Sequence, residues 1–190
     1  MPEQYRLGFA LCGSFCTFSR AIGMMETLQK TYDIYPILSE HAAGLDTRFG
    51  KAEDHLHRIE AICGRKAILT IPEAEPLGPK KMLDILLVAP CTGNTLAKLA
   101  QGITDTTVTM AVKSHLRTER PVVLCPATND ALRGNAWNIG MLLNRKHYYF
   151  VPFGQDEAEN KPASLVGHFE KIPQTLTAAL EKKQIQPLLD

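Results

Sequence analysis

The chain has 190 residues, 45% of them hydrophobic, and a formal net charge of +1 from 21 basic and 20 acidic side chains. That length supports one full hydrophobic core, and the scatter of Lys and Arg leaves no basic stripe for a nucleic acid or an anionic membrane. No stretch approaches the roughly 18 apolar residues of a membrane span, "MPEQYRLGFA" lacks an apolar run of signal-peptide length, and five cysteines without ligand-type spacing fit a reducing cytoplasm.

Taken in chain order, Tyr5–Leu11 is an apolar run of strand length and Thr17–Tyr32 has a helical pattern. Tyr32–Leu38 ("YDIYPIL") reads as a second strand, followed by a helix in "KAEDHLHRIEAICG" that stops at Gly64. Ala67–Ile71 ("AILTI") reads as a third strand. Asp84–Pro90 ("DILLVAP") is the most apolar stretch and reads as a central strand that Pro90 ends. Helices follow from Thr95 and over Thr107–Thr118, then a strand at Pro121–Ala127 and a helix at Ala136–Lys146. Tyr148–Phe153 ("YYFVPF") reads as a last strand and Gln174–Gln184 as a terminal helix. Alternating strands and helices predict an α/β fold, a doubly wound, mostly parallel sheet covered on both faces in three layers. No repeat, low-complexity tract or linker divides the chain, so one domain over residues 1–190 is expected.

In such sheets ligands bind beyond the carboxyl ends of the strands. The loops leaving those ends read "CGSF", "SEHAAGLDTRFG", "PCTGNT", "PATNDALRGN" and "GQDEAENKP". The first has a single glycine where a dinucleotide fingerprint needs three, and no nucleoside-triphosphate loop is present. Gly13, the Ser14 hydroxyl and the N–H groups of a helix start suit one phosphate. The alternative is a tight turn with Ser14 or Thr17 as a helix N-cap. After the central strand, Thr92, Asn94 and Thr95 place more hydrogen-bonding groups than one cap needs. Gly93 permits close backbone approach, so the loop can read the polar edge of a flat heterocycle.

"CGSF", "APCTGNTLAKLAQGITD" and "PATND" resemble three landmarks of the homo-oligomeric FMN-binding flavoproteins, which include cysteine and phosphopantothenoylcysteine decarboxylases and flavin prenyltransferases. The resemblance implies a Rossmann-like, flavodoxin-like flavoprotein fold and FMN as cofactor. It places the phosphate at Gly13, Ser14 and Phe15, a hydroxyl contact at Ser39, the flavin ring at Thr92, Gly93, Asn94 and Thr95, and a further contact at Ala127. Cys91 and Thr92 depart from the Ala-Ser of that pattern, and Thr128 stands where the decarboxylases have methionine. Their substrate-directed histidine has no counterpart in "TIPEAEPLGP". Within the family, "TRFG", "EAEPLGPK", "TNDALRGN" and "VPFGQDEAENKP" resemble one subunit of a two-subunit oxidoreductase. That enzyme converts a cyclic lysine-pathway precursor into a pyridine dicarboxylate in the mother cell of sporulating bacteria. The resemblance implies an A subunit that alone brings NAD(P), a cytoplasmic location, and a homo-oligomer of three chains or a multiple. A stand-alone FMN-dependent decarboxylase or prenyltransferase is one alternative, which the missing histidine weighs against. A scaffold subunit that has lost flavin is another.

For a dicarboxylate, Arg48 in "DTRFG" offers the planar fork that grips a carboxylate through two hydrogen bonds; alternatively it pairs with Asp46 or Glu53 on the surface. Asn129 and Asp130 face a ring nitrogen or serve the turn. His55 and His57, two apart on a helix, cannot aim at one metal and read as surface or half-buried. Cys12, Cys91 and Cys125 near strand ends read as small apolar fillers in preference to a metal site, and no metal is assigned. Asp156, Glu157 and Glu159 form a solvated loop, or else order a lid or dock a partner.

Overall fold

The computed structural model describes residues 4–189. Its first half is built from β1 (Arg6–Leu11), α1 (Phe18–Leu28), β2 (Asp33–Leu38), α2 (Glu40–Gly44), α3 (Ala52–Cys63), α4 (Ile71–Ala74) and β3 (Ile85–Cys91). The second half adds α5 (Gly93–Gln101), α6 (Thr107–Leu116), β4 (Val122–Thr128), α7 (Ala136–Leu143), β5 (Tyr148–Phe150), β6 (Phe153–Gly154), β7 (Leu165–Gly167) and α8 (Ile172–Leu180). The parallel strands run in the order β2-β1-β3-β4, with β5 parallel to the first half of β4. The last residues of β4 pair instead with β7, antiparallel, and β7 with β6. This is the expected doubly wound, mostly parallel sheet.

Every residue of β3 is buried, as a strand covered on both faces requires. Successive side chains alternate between the two sides. Leu7, Phe9 and Leu11 join Leu87 and Val123 under α1, α3 and α8; Ala10, Leu86, Val88 and Leu124 pack under α5, α6 and α7. On α1, Phe18, Ala21, Ile22, Met25 and Leu28 fall on one stripe and supply the covering layer. Among the described residues no helix is long and apolar enough to cross a membrane.

At the amino ends of the strands, Asp84 accepts from the Arg6 backbone N–H (2.9 Å), Arg6 Nε (3.1 Å) and Arg120 (3.2 Å). Partial burial opposes ionisation there, but the Arg6 bonds and both guanidinium charges outweigh it and lower the carboxyl's pKa. This clamp closes one edge of the sheet and leaves the carboxyl edge for loops.

At four places the structure departs from the sequence pattern. Ala67–Ile71 is not a strand, and its pairing is limited to a bridge between Ile68 and Ile37. The Thr70 hydroxyl accepts from the Glu73 N–H while the Glu73 carboxylate accepts from the Thr70 N–H, a capping box that starts α4. Tyr148–Phe153 is two short strands: β5 stays parallel, and past Pro152 the chain enters the antiparallel hairpin β6–β7. The strand expected to end at Pro90 runs on to Cys91, and α2 forms inside what reads as a loop because Ser39 caps it, accepting from the Ala42 N–H at 3.2 Å.

His115 is 1% exposed and donates from Nε2 to the Pro121 carbonyl at 3.1 Å. Burial disfavours the imidazolium and pushes the pKa down to about 4, although the carbonyl bond favours charge. An unfolded chain titrates the same group near 6.5. The stability is therefore whole above pH 6.5. It declines as pH falls toward 4, where only the unfolded state binds the proton, by about 3 kcal/mol in total. Urea unfolding between about pH 7 and about pH 4.5 should show this decline in the wild type and a much shallower one in His115→Gln. Parallel profiles in the two proteins would show that His115 ionises freely in the fold.

Candidate functional site

The carboxyl ends of β1, β3 and β4 open onto a cleft of about 740 Å³. One wall is the turn after β1. Gly13 and Ser14 lead into a single 3-10 turn, Phe15–Thr17, before α1. Neither Ser14 nor Thr17 caps a helix with its side chain. Thr17 Oγ1 instead donates to the Ser14 carbonyl at 2.8 Å, while Ser14 Oγ meets the thiol of Cys16 at 3.8 Å, a weak sulfur contact. The Ser14 hydroxyl is thus only loosely held where it lines the cleft.

The loop after β3 forms the floor. Thr92 caps α5, its Oγ1 accepting from the Thr95 N–H at 3.3 Å and donating to Thr95 Oγ1 at 3.1 Å. Thr95 Oγ1 then donates to Cys12 Sγ at 3.2 Å. Two of the loop's hydroxyls therefore serve the protein itself, while Asn94 stays exposed at the cleft. Gly93 does permit a close approach, but by the chain's own neighbouring loop. A Cβ there would stand 2.5 Å from Asn135 Nδ2 and Thr128 Oγ1 and 2.9 Å from Asp130 Oδ1.

Beyond β4, the Asp130 carboxylate accepts from Thr128 Oγ1 (2.6 Å) and twice from Asn135 Nδ2 (2.8 and 2.9 Å). The Thr128 bond, with Asn135 adding to it against a desolvation penalty, lowers its pKa. Asp130 is an ionised anchor that ties the loop together, with both oxygens occupied. Asn129 is exposed and lines the cleft, and Ala127 borders it from inside β4.

Ser39 and Thr95 lie in a second cavity, of about 260 Å³, with Glu40, His41 and Lys98. Gly13, Thr92 and Asn94 line both cavities, so the two share a wall. All the residues expected at a flavin, Gly13, Ser14, Phe15, Ser39, Thr92, Gly93, Asn94, Thr95 and Ala127, are brought to these adjoining spaces.

Arg48, from the loop after β2, also lines the large cleft. It sits at the tip of a tight turn closed by paired bonds between Thr47 and Gly50, stacked 4.8 Å over the Phe49 ring. Among the described residues it forms no ion pair. Asp46, one partner of the alternative reading, accepts from the Ala52 N–H at 2.9 Å instead.

Lys161 and Asn135 line the cleft from the ligand-side loops expected there, though the sequence singles out neither, and Ser164 and Val166 of the β6–β7 hairpin fall outside every loop expected at the site. Asp156 also lines the cleft, and Lys161 Nζ bridges Glu157 (3.0 Å) and Asp156 (3.7 Å). Asp156 and Glu157 thus pair with Lys161 in a cleft wall, while Glu159 is exposed. Strands of two and three residues carry no periodicity that would have announced the hairpin.

His55 is half-buried and His57 exposed, as expected of residues two apart on α3. Cys12, Cys91 and Cys125 are buried; burial pushes Cys12 up to about 11 despite the Thr95 bond, and raises the other two. They remain thiols at neutral pH, suited to filling space.

The site suits FMN. Its volume is that of a small-molecule pocket. It offers a loosely held hydroxyl at a turn whose Phe15 and Cys16 N–H groups make no hydrogen bond among the described residues, and apolar surface from Phe15, Ala127 and Val166.

The flavoprotein family model matches residues 1–150. The dipicolinate synthase B subunit of Bacillus subtilis (strain 168) is 42% identical over 185 residues, which span 97% of this chain and 92% of that protein. The crystal structure of the dipicolinate synthase B subunit from Bacillus halodurans C matches with a TM-score of 0.90 at 40% identity, over 98% of this chain and 96% of the other. The FMN-dependent cysteine decarboxylase SpaF, 23% identical with a TM-score of 0.69 over 94% of this chain and 97% of its own, shares the fold. The chain belongs to the flavoprotein family and, within it, to the branch of the dipicolinate synthase B subunits.

Proposed function

We propose that this chain is the FMN-carrying B subunit of a dipicolinate synthase, an oxidoreductase that works only with its A subunit. The observation that carries the reading is that Ser14, with a loosely held hydroxyl, and Arg48, without an ion-pair partner among the described residues, line the same cleft. Side chains that the fold does not use for itself, gathered in one concavity, are available to a ligand. The names of the two B-subunit relatives and the FMN dependence of SpaF support the choice of ligands.

In this reading Gly13, Ser14 and Phe15 hold the FMN phosphate, while Asn94, Ala127 and the Thr92–Thr95 loop border the flavin, with Ser39 in the adjoining cavity. Bound there, FMN would supply a two-electron acceptor. The Arg48 fork grips one carboxylate of the substrate and fixes the plane of its ring. Asn129 presents its amide to the ring nitrogen. Asp130 positions that loop through Thr128 and Asn135. The overall change is loss of water and two hydrogens from the cyclic lysine-pathway precursor, giving the aromatic dicarboxylate. The A subunit contributes the NAD(P) site for which this chain has no glycine fingerprint. The assembly forms in the cytoplasm of a sporulating mother cell and contains several copies of this chain, three or a multiple of three.

The test begins at the phosphate. Losing a hydrogen bond to a charged group costs about 1.5–3 kcal/mol, so Ser14→Ala should weaken FMN binding roughly 10- to 100-fold in a fluorescence titration. Wild-type affinity in a folded Ser14→Ala chain would remove Ser14 from the site.

A further inference from the structure

We infer that His55 is a positioning residue for Arg48, an inference that rests on the reading of Arg48 as the carboxylate clamp. The turn that carries Arg48 is held only lightly by its own backbone. Thr47 and Gly50 exchange two hydrogen bonds of 3.0 and 3.1 Å, and the Phe49 N–H donates to Thr47 Oγ1 at 3.1 Å. Residues 48–50 are exposed, so no burial fixes the tilt of the tip. Asp46 ties the turn's entry to the start of α3.

The tip itself is held by His55, whose Nε2 lies 3.2 Å from the Phe49 carbonyl. A carbonyl only accepts, so Nε2 carries the proton in this contact. The imidazole is fixed from two sides. It meets the ring of Phe18, which is 1% exposed, edge-on at 5.4 Å. On the other side the Gly50 backbone lies against it: φ at Gly50 is +133°, and a Cβ there would stand 2.6 Å from Nε2. The glycine therefore satisfies both a backbone angle closed to other residues and a close approach to the ring.

Phe18 also packs at 5.1 Å on Phe15, which lines the cleft in the Gly13–Ser14 wall. Through Phe18, His55 thus references the Arg48 turn to the turn expected at the phosphate. Removing its donor leaves the charge of Arg48 intact but frees the direction in which the fork points. A bidentate contact depends on that direction far more than a point-charge contact does.

The experiment is calorimetric titration of dipicolinate into the FMN-loaded chain, comparing wild type, Arg48→Ala, His55→Phe, His55→Gln and the Arg48→Ala/His55→Phe double variant. Phenylalanine keeps the edge contact with Phe18 and removes the donor; glutamine restores an N–H at about the position of Nε2. His55→Phe should weaken binding roughly 3- to 10-fold, the worth of one neutral hydrogen bond, and His55→Gln should bind within about twofold of wild type. The double variant should bind no more weakly than Arg48→Ala alone, because a positioning residue acts only through its partner. His55→Leu, which also lacks the donor, replaces His55→Phe if the latter does not fold. Additive losses, or unchanged binding by the donor-less variant while Arg48→Ala binds poorly, would overturn the role of His55 and leave Arg48 standing. Unchanged binding by Arg48→Ala would remove the clamp and the inference together.

Discussion

Arg48→Ala should lower kcat/KM for dipicolinate formation by the assembled enzyme about 30- to 150-fold, and Arg48→Lys should recover only part of that loss. A guanidinium–carboxylate fork makes two charge-assisted hydrogen bonds in a fixed plane. Losing interactions of that kind is worth about 2–3 kcal/mol, which is the stated range in rate. Lysine keeps the charge but offers a flexible point donor, so it attracts the carboxylate without setting the ring's orientation. The effect should fall on steps that depend on substrate. Folding should be untouched, because Arg48 forms no ion pair among the described residues and stacks on the exposed ring of Phe49. FMN affinity should also stay near wild type, since no hydrogen bond joins Arg48 to the Gly13–Ser14 turn among the described residues. Wild-type kinetics for Arg48→Lys would make Arg48 an ordinary surface arginine.

Much of this arrangement is legible in the sequence, for a physical reason. β3 and β4 are continuous apolar runs because both faces are covered, and such runs cannot be mistaken for amphipathic surface segments. Once those strands are located, the loops at their carboxyl ends follow by topology alone. Local polar competition is harder to see. Ala67–Ile71 has strand composition, yet Thr70 and Glu73 satisfy each other's N–H groups and turn it into a helix start. Thr95 looks like a ligand contact, but its hydroxyl is engaged by Cys12, 83 positions earlier. Nor does the sequence show that the space left by the missing side chain of Gly93 is taken by Asn135 and Thr128. His55 shows the same limit from the other side. What gives it a role is the Phe49 carbonyl, and a backbone carbonyl has no residue type to read. Ser164 and Val166 reach the cleft through a hairpin whose strands are two and three residues long, below the length at which periodicity carries information.

The reading of the chain as half of an enzyme has the largest expected effect. Aromatising the ring removes two hydrogens as well as water, so turnover needs a stoichiometric oxidant. The turn after β1 has one glycine, Gly13, followed by Ser14 and Phe15, where a pyrophosphate would need three glycines. A mononucleotide site is all that this turn supports, and in the proposed reading the nicotinamide docks on the A subunit. The decisive measurement is an anaerobic assay of dipicolinate formation by this chain with substrate and NAD or NADP, with and without the A subunit. Alone, the chain should form at most about one dipicolinate per bound FMN; with the A subunit and a nicotinamide, formation should continue through many turnovers. Sustained turnover by this chain alone, with only NAD or NADP added, would contradict the account.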